Sequence, residues 1–441
     1  MNLFKNNIIS TLLYASIAFV VIYVMTSGGI GISVDSENYL VAANRFTQQR
    51  WGEAFNPIWP PLYPLTIAAI KALGLAGLSG IARMISILSF VILLATVFLS
   101  GLHLQGRFTA HFSAISTLFL AALVYLYCFC WSETLYTMLS LLFFFMLILL
   151  LKASKGPQTK YLIFSGIFAG LASITRHIGF SLIGTGILSI LFLSNYHSPS
   201  KKFKKTLTFT LVAGIPVFLH YLTCYLYYNL AGKTQFPSKY TFMHQLFQLF
   251  STIYHDLLSF DLSFPKYVFL FESGFPFFWL RMIILLGALT FLVLFFKALF
   301  SSKPRKNFLK PQIAIIFYFV LYSSILLYVS STIAIDPMGS RFTAPLYPLL
   351  LLLIFSGISH VYKTSGQKRS KTLILGLTIL VTIPFWGIQI FSTSSIYKGI
   401  SSGSFPAMEH PGNLNRQSLK FLKENKSLSS FVFSMSSTVI P

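Results

Sequence analysis

Six short segments of this 441-residue chain hold the side chains best suited to chemistry. DSENYLVAANRF carries Asp35, Glu37 and Tyr39, and SGIARMIS carries Arg83. WSETLYTMLSLL carries Glu133, ASITRHIGF carries Arg176 beside His177, and DPMGSRFTAPLYPLL carries Arg341. WPPLYPL, with three prolines among aromatics, lies between the first two. A carboxylate within hydrogen-bond reach of a hydroxyl takes its proton. A guanidinium fork holds a phosphate in a bidentate way and stabilises charge that builds on it. Asp35 is the first candidate for the base, and Arg341, in a constrained Asp-Pro-Gly setting, for the cation. Repulsion between Asp35 and Glu37 in a loop would raise one of the two pKa values. Glu133 also reads as a helix-start charge favoured by the macrodipole, and Arg83 as a helix-end cation. Each of these charges stands at the end of an apolar run. A central membrane charge costs roughly 2.5–3.5 kcal/mol on insertion scales, so polar residues gathered on one face point to function.

The elements that position these residues are membrane helices. The chain is 55% hydrophobic and 10% charged, against roughly 25% charged in soluble domains. Apolar periods predict an all-α polytopic membrane protein with about eleven transmembrane helices. They fall near residues 8–26, 81–101, 108–129, 133–151, 161–176, 178–195, 206–229, 281–300, 312–333, 343–362 and 372–391. The first lacks an A-x-A-like cleavage site and reads as a retained span. Residues 62–78 are broken by Pro64, Lys71 and several glycines, and read as an interfacial helix. Residues 1–391 form one transmembrane domain with a polar loop at 27–80 and a second large loop at 230–280. Residues 392–441 form a short polar tail. In the second loop Phe242, Leu246, Leu249, Phe250, Ile253 and Leu257 recur at helical spacing, as in an interfacial helix.

Charge supplies the orientation. There are 33 basic and 10 acidic residues, a formal net charge of +23. In a soluble chain that excess would suggest nucleic acid. Here the lysines cluster in four short connections, at 152–160, 201–205, 303–310 and 363–371. With eleven spans these share the side of the N-terminus, cytoplasmic by the positive-inside rule. All ten acidic residues then fall on the opposite side. Cys128, Cys130 and Cys224 lack metal or disulfide spacing. The histidines show no metal-ligand spacing either.

On these residues the chain resembles the GT-C superfamily of integral-membrane glycosyltransferases. It looks most like their bacterial branch, similar to dolichyl-phosphate-mannose–protein mannosyltransferases and aminoarabinose transferases. The pieces DSENYLVAANRF, WPPLYPLTIAAIKALGL, IARMISILSF, SETLYTMLSLL, SITRHIGFSLI and DPMGSRFTAPLYPLLLLL stand in order over most of residues 27–355. The resemblance implies transfer of a sugar from a polyprenyl-phosphate carrier to a lipid, glycan or protein acceptor on the non-cytoplasmic face. It makes Asp35 the catalytic carboxylate, sets Tyr39 on the motif's aromatic, and sets Arg341 on the carrier phosphate. Glu133 and Arg176 match motif positions. His177 stands where an aromatic is common, Phe342 replaces the commoner tyrosine, and no sizeable soluble domain follows. The implied partners are the lipid-linked donor, the acceptor and membrane lipids, with no nucleic acid. Members differ on metal, and Asp35 with Glu37 and Glu133 leaves a divalent ion open. The rival class is a transporter or flippase using the same arginines. The chain shows no inverted repeat of the kind such folds carry.

Overall fold

The computed structural model describes residues 2–55, 58–153, 158–196, 198–228, 238, 240–258, 306–333, 339–365 and 368–401. The span expected near 281–300 and most of the second large loop lie outside them.

The described residues form helices α1 (Asn2–Met25), α2 (Val34–Thr47), α3 (Trp51–Ala54), α4 (Leu62–Lys71), α5 (Leu78–Leu104), α6 (Arg107–Phe119), α7 (Ala121–Tyr127) and α8 (Ser132–Lys152). There follow α9 (Gln158–Ser173), α10 (Phe180–Leu188), α11 (Pro199–Tyr228), α12 (Phe242–Leu258), α13 (Lys306–Thr332), α14 (Ser340–Thr343), α15 (Tyr347–Thr364) and α16 (Lys368–Ser401). Among the described residues seven helices are long and apolar enough to cross a membrane, or eight with one bent pair. The protein is therefore a multi-pass membrane protein. The helix α16 runs on to Ser401, and the rest of the expected tail lies outside the described residues.

Burial sorts the spans. For α8, 72% of its most apolar window is buried, against 22% for α1 and 28% for α16. Thus α8, with α5 and α15, is the centre of the bundle. The outer faces of α1, α11 and α16 carry exposed leucines, isoleucines and phenylalanines, as lipid-facing helices do. Small residues bring spans close: a Cβ on Gly101 of α5 would stand 2.6 Å from the Ala110 Cα of α6.

The span expected over 108–129 is broken. Its two pieces, α6 and α7, meet at 62°. Leu120 is extended at the break, and the Ala121 N–H donates to the Gln389 side chain of α16 at 2.9 Å. A side chain inserted into the helical ladder is a cause of kinks that needs no proline or glycine. The segment expected as one helix over 178–195 starts in a 3₁₀ turn, His177–Gly179, and ends in a π turn, Ser189–Leu193.

A group of lysine contacts closes one end of the bundle. At one end Lys152 donates to the Leu104 carbonyl at 3.0 Å, closing the C-terminus of α5. Lys363 donates to Gln105 Oε1 at 3.2 Å, Lys202 to the Leu191 carbonyl at 2.9 Å, and Lys205 to Thr159 at 3.0 Å. Lys310 reaches Asn195, which donates to the Leu151 carbonyl at 3.0 Å. Cations at helix C-termini satisfy orphan carbonyls and complement the dipole. The helix α8 has 21 residues, about 30 Å at 1.5 Å per residue. It carries Lys152 at this end and Glu133 at the other.

The stretch around Asp35 is a helix rather than a loop. Ser33 caps α2: it accepts from the Ser36 N–H at 3.3 Å, and Ser36 Oγ accepts from the Ser33 N–H at 3.0 Å. This capping box starts the helix and places Asp35 and Glu37 in its first turn, where the dipole favours them. Residues two apart on a helix do not face each other, so the pairing considered for Asp35 and Glu37 does not form. Below α2 lies α4, with Tyr63, Pro64, Ile67 and Ala68 buried.

Candidate functional site

At the end opposite the lysines, four charged side chains from four segments meet. Asp35 comes from the first turn of α2 and Glu133 from the first turn of α8. Arg176 comes from the link between α9 and the following 3₁₀ turn, and Arg341 from α14. Arg341 Nη2 lies 2.5 Å from Asp35 Oδ2, and its Nε lies 3.0 Å from Glu133 Oε1. Arg176 pairs with the same Glu133 oxygen. The result is a linear chain, Asp35–Arg341–Glu133–Arg176, of two carboxylates and two guanidiniums.

Burial differs along the chain. The Glu133 side chain is 1% exposed, against 14% for Asp35 and 18% for Arg176. Glu133 is the fixed centre, and Asp35 and Arg176 the reachable ends. A buried charge needs an opposite charge beside it, and Glu133 has two. Aromatics make the rest of the frame. The Arg341 guanidinium sits 5.3 Å from the Trp131 ring centre and 5.0 Å from that of Phe342, and Arg176 lies 5.8 Å from the latter. A cation over an aromatic face is attracted by the ring quadrupole.

The frame is tied to the backbone at one close approach. Gly31 and Phe129 pair through Gly31 N–H to Cys128 O at 2.8 Å and Cys130 N–H to Gly31 O at 2.9 Å. A Cβ on Gly31 would stand 2.7 Å from the Phe129 ring, so the strand-like contact needs glycine. It brings Trp131 Nε1 to Ser33 Oγ at 2.8 Å, joining the starts of α2 and α8.

Tyr39 lies one turn beyond Asp35, buried, with its hydroxyl 2.8 Å from Ser132 Oγ, which is 3.3 Å from Glu133 Oε2. Edge-on contacts to Trp59 and Tyr63 hold its ring. Burial, and then the Glu133 charge, hold its phenol above the ordinary value, so it stays protonated. Burial likewise pushes the Cys130 thiol up to about 12, which leaves it inert as a nucleophile.

The structure thus brings together Asp35, Tyr39, Glu133, Arg176 and Arg341. Arg83 stands apart from these. It donates to Thr26 Oγ1 and to the Tyr23 carbonyl, each at 3.0 Å, and covers the Tyr23 ring at 4.7 Å. These partners belong to the C-terminal end of α1, where an arginine satisfies the last carbonyls. Among the described residues no group of three or more His, Cys, Asp or Glu could hold a metal ion. Asp35 and Glu133 both face guanidiniums, an arrangement that does not fit a divalent cation.

One further buried acid lies outside the six motif segments. Asp256 of α12 is 5% exposed and accepts from Ser340 at 2.6 Å, from Thr343 at 3.0 Å and from Tyr347. With Gln245, also buried, it sets how α12 is rotated. Leu246, Leu249, Ile253 and Leu257 face the body, whereas Phe242 and Phe250, expected on the same face, are exposed. A polar residue on an apolar helical stripe was the available signal.

No protein-family model matches the chain, and no curated protein does. Solved structures do. The chain is similar to ArnT from Cupriavidus metallidurans in the apo state, with a TM-score of 0.58 and 11% identity, over 96% of this chain and 85% of that one. It is also similar to ArnT from the same organism bound to undecaprenyl phosphate, with a TM-score of 0.55 and the same identity and coverage. At this identity the likeness is one of fold, an all-α polytopic membrane fold of the kind that the apolar periods predict.

Proposed function

We propose that the chain is a membrane glycosyltransferase. It moves a sugar from a polyprenyl-phosphate carrier to a lipid, glycan or protein acceptor at the end that holds the carboxylates. The observation that carries this reading is the Asp35–Arg341 ion pair, at 2.5 Å, in a fold whose relative ArnT has been solved with undecaprenyl phosphate.

The chemistry follows from the charges. The acceptor hydroxyl loses its proton to Asp35 as its oxygen bonds to the anomeric carbon. The bond from that carbon to the phosphate oxygen breaks, and its electron pair leaves with the phosphate. A single displacement of this kind inverts the anomeric centre. The released monoester carries more charge than the diester, and fixed guanidiniums at Arg341 and Arg176 stabilise it as it forms. Asp35 bonded to Arg341 is a weakened base. A donor phosphate competes for the same fork and frees Asp35, so donor binding prepares the base. The non-cytoplasmic placement of the site rests on the lysines at the opposite end.

The test is to incubate purified protein with a labelled polyprenyl-phosphate sugar and follow carrier release. Asp35→Asn should lower transfer by about 10²–10⁴-fold. Full transfer by folded Asp35→Asn protein refutes the base assignment. Label that crosses a vesicle membrane without carrier release supports a transporter instead.

A further inference from the structure

We infer that Asp256 is the positioning residue for Arg341, and that α12 is thereby part of the donor-phosphate site. The hydroxyls that meet its carboxylate are Ser340, one residue before Arg341, Thr343, two residues after it, and Tyr347, one further turn on. The Tyr347 hydroxyl oxygen also lies 2.8 Å from Thr343 Oγ1. A four-residue helix, α14, has too few intrahelical bonds to hold itself. Here three side-chain donors spaced along it and its continuation converge on one acid from α12. Held at these three points, α14 is fixed in the register from which the Arg341 guanidinium reaches Asp35 and Glu133. Tyr322 completes the fixation from α13 by donating to the Phe342 carbonyl at 2.6 Å.

The same residue reaches the other wall of the site. The Asp256 main-chain carbonyl accepts from Gln389 Nε2 at 3.1 Å, and Gln389 Oε1 accepts from the Ala121 N–H at 2.9 Å. That N–H opens α7, which leads directly into the turn bearing Trp131, the ring beside Arg341. One residue therefore ties down both the helix that carries the arginine and the segment that carries its aromatic neighbour. A fork displaced by about 1 Å loses much of its bidentate geometry, and misplacement of that size costs up to about 10²-fold in rate.

The inference rests on the functional reading for the identity of the ligand, and on geometry alone for the link between Asp256 and Arg341. The experiment separates the two. Full-length protein in nanodiscs is treated with phenylglyoxal, and the labelling rates of Arg341 and Arg83 are read by mass spectrometry. Asp256→Ala should raise Arg341 labelling about fivefold or more and leave Arg83 unchanged. The donor KM should rise about tenfold, with kcat reduced less. Asp256→Asn keeps an acceptor oxygen and should restore most of both. Unchanged Arg341 labelling in folded Asp256→Ala protein overturns the inference, whatever the turnover. If that variant does not fold, Ser340→Ala with Tyr347→Phe is read in the same way, and unchanged labelling there overturns it as well. Wild-type protein that consumes no polyprenyl-phosphate sugar overturns the functional reading alone, because the labelling needs no turnover.

Discussion

Glu133 is the residue on which the charge chain balances. It is the most buried of the four and takes Arg176 and Arg341 on the same oxygen. Its neutralisation removes the carboxylate that both partly buried guanidiniums share. Breaking a buried pair by removing one partner costs about 3–5 kcal/mol. Glu133→Gln should therefore lower the melting temperature in nanodiscs by several degrees and reduce transfer. A melting temperature equal to wild type would mean that Glu133 does not neutralise the arginines. Asp35, nearer to solvent, is the residue free to change partner. Glu37 looks equivalent in sequence and is not, because two helical positions turn it to another face.

Elements, rather than loops, carry the site. Each charged residue stands at or near a helix start or in a short link, and each such start has its own fixation. For α2 it is Ser33, which caps the helix and accepts from Trp131 Nε1 at 2.8 Å. Loss of an N-cap serine costs about 0.5–2 kcal/mol, and here the buried indole N–H also loses its partner. Ser33→Ala should destabilise the protein by about 1–2 kcal/mol and lower transfer as the start of α2 shifts. Trp131 fluorescence in the native protein should move with it. Unaltered stability and emission would show that the capping box does not position α2. The break between α6 and α7 is a second such device, because Gln389 occupies an N–H that an unbroken helix would use.

At the scale of the whole molecule, charge separates along the membrane normal. The contacts of Lys152, Lys202, Lys205, Lys310 and Lys363 gather at one end and the Asp35–Arg341–Glu133–Arg176 chain at the other. The three cysteines are buried, so an engineered thiol meets little background. Lys204 and Gln48 are exposed at the lysine end and the carboxylate end respectively. In intact cells an impermeant maleimide should label Gln48→Cys and not Lys204→Cys, and in inverted vesicles the reverse. Labelling of both from one side would overturn the proposed orientation.

The sequence by itself determined the membrane class, the position of most spans, the gathering of lysines in four connections, and the motif residues Asp35, Glu133, Arg176 and Arg341. These are local signals: apolar period, composition and short patterns of residue type. Only the tertiary structure decided who pairs with whom. Asp35 and Arg341 are 306 positions apart, and no spacing rule predicts their contact. It also tied Arg83 of α5 to the end of α1, bent the third apolar run at Leu120 without proline or glycine, and buried Asp256 against three hydroxyls. The physical reason is common to all of these. A charge at the edge of an apolar segment must find a partner, and which partner it finds depends on which helix ends the packing brings together. The opening polar stretch was legible as chemistry from its carboxylate. Its place in a four-charge cluster became visible only when α8, α14 and the link after α9 brought their charges to it.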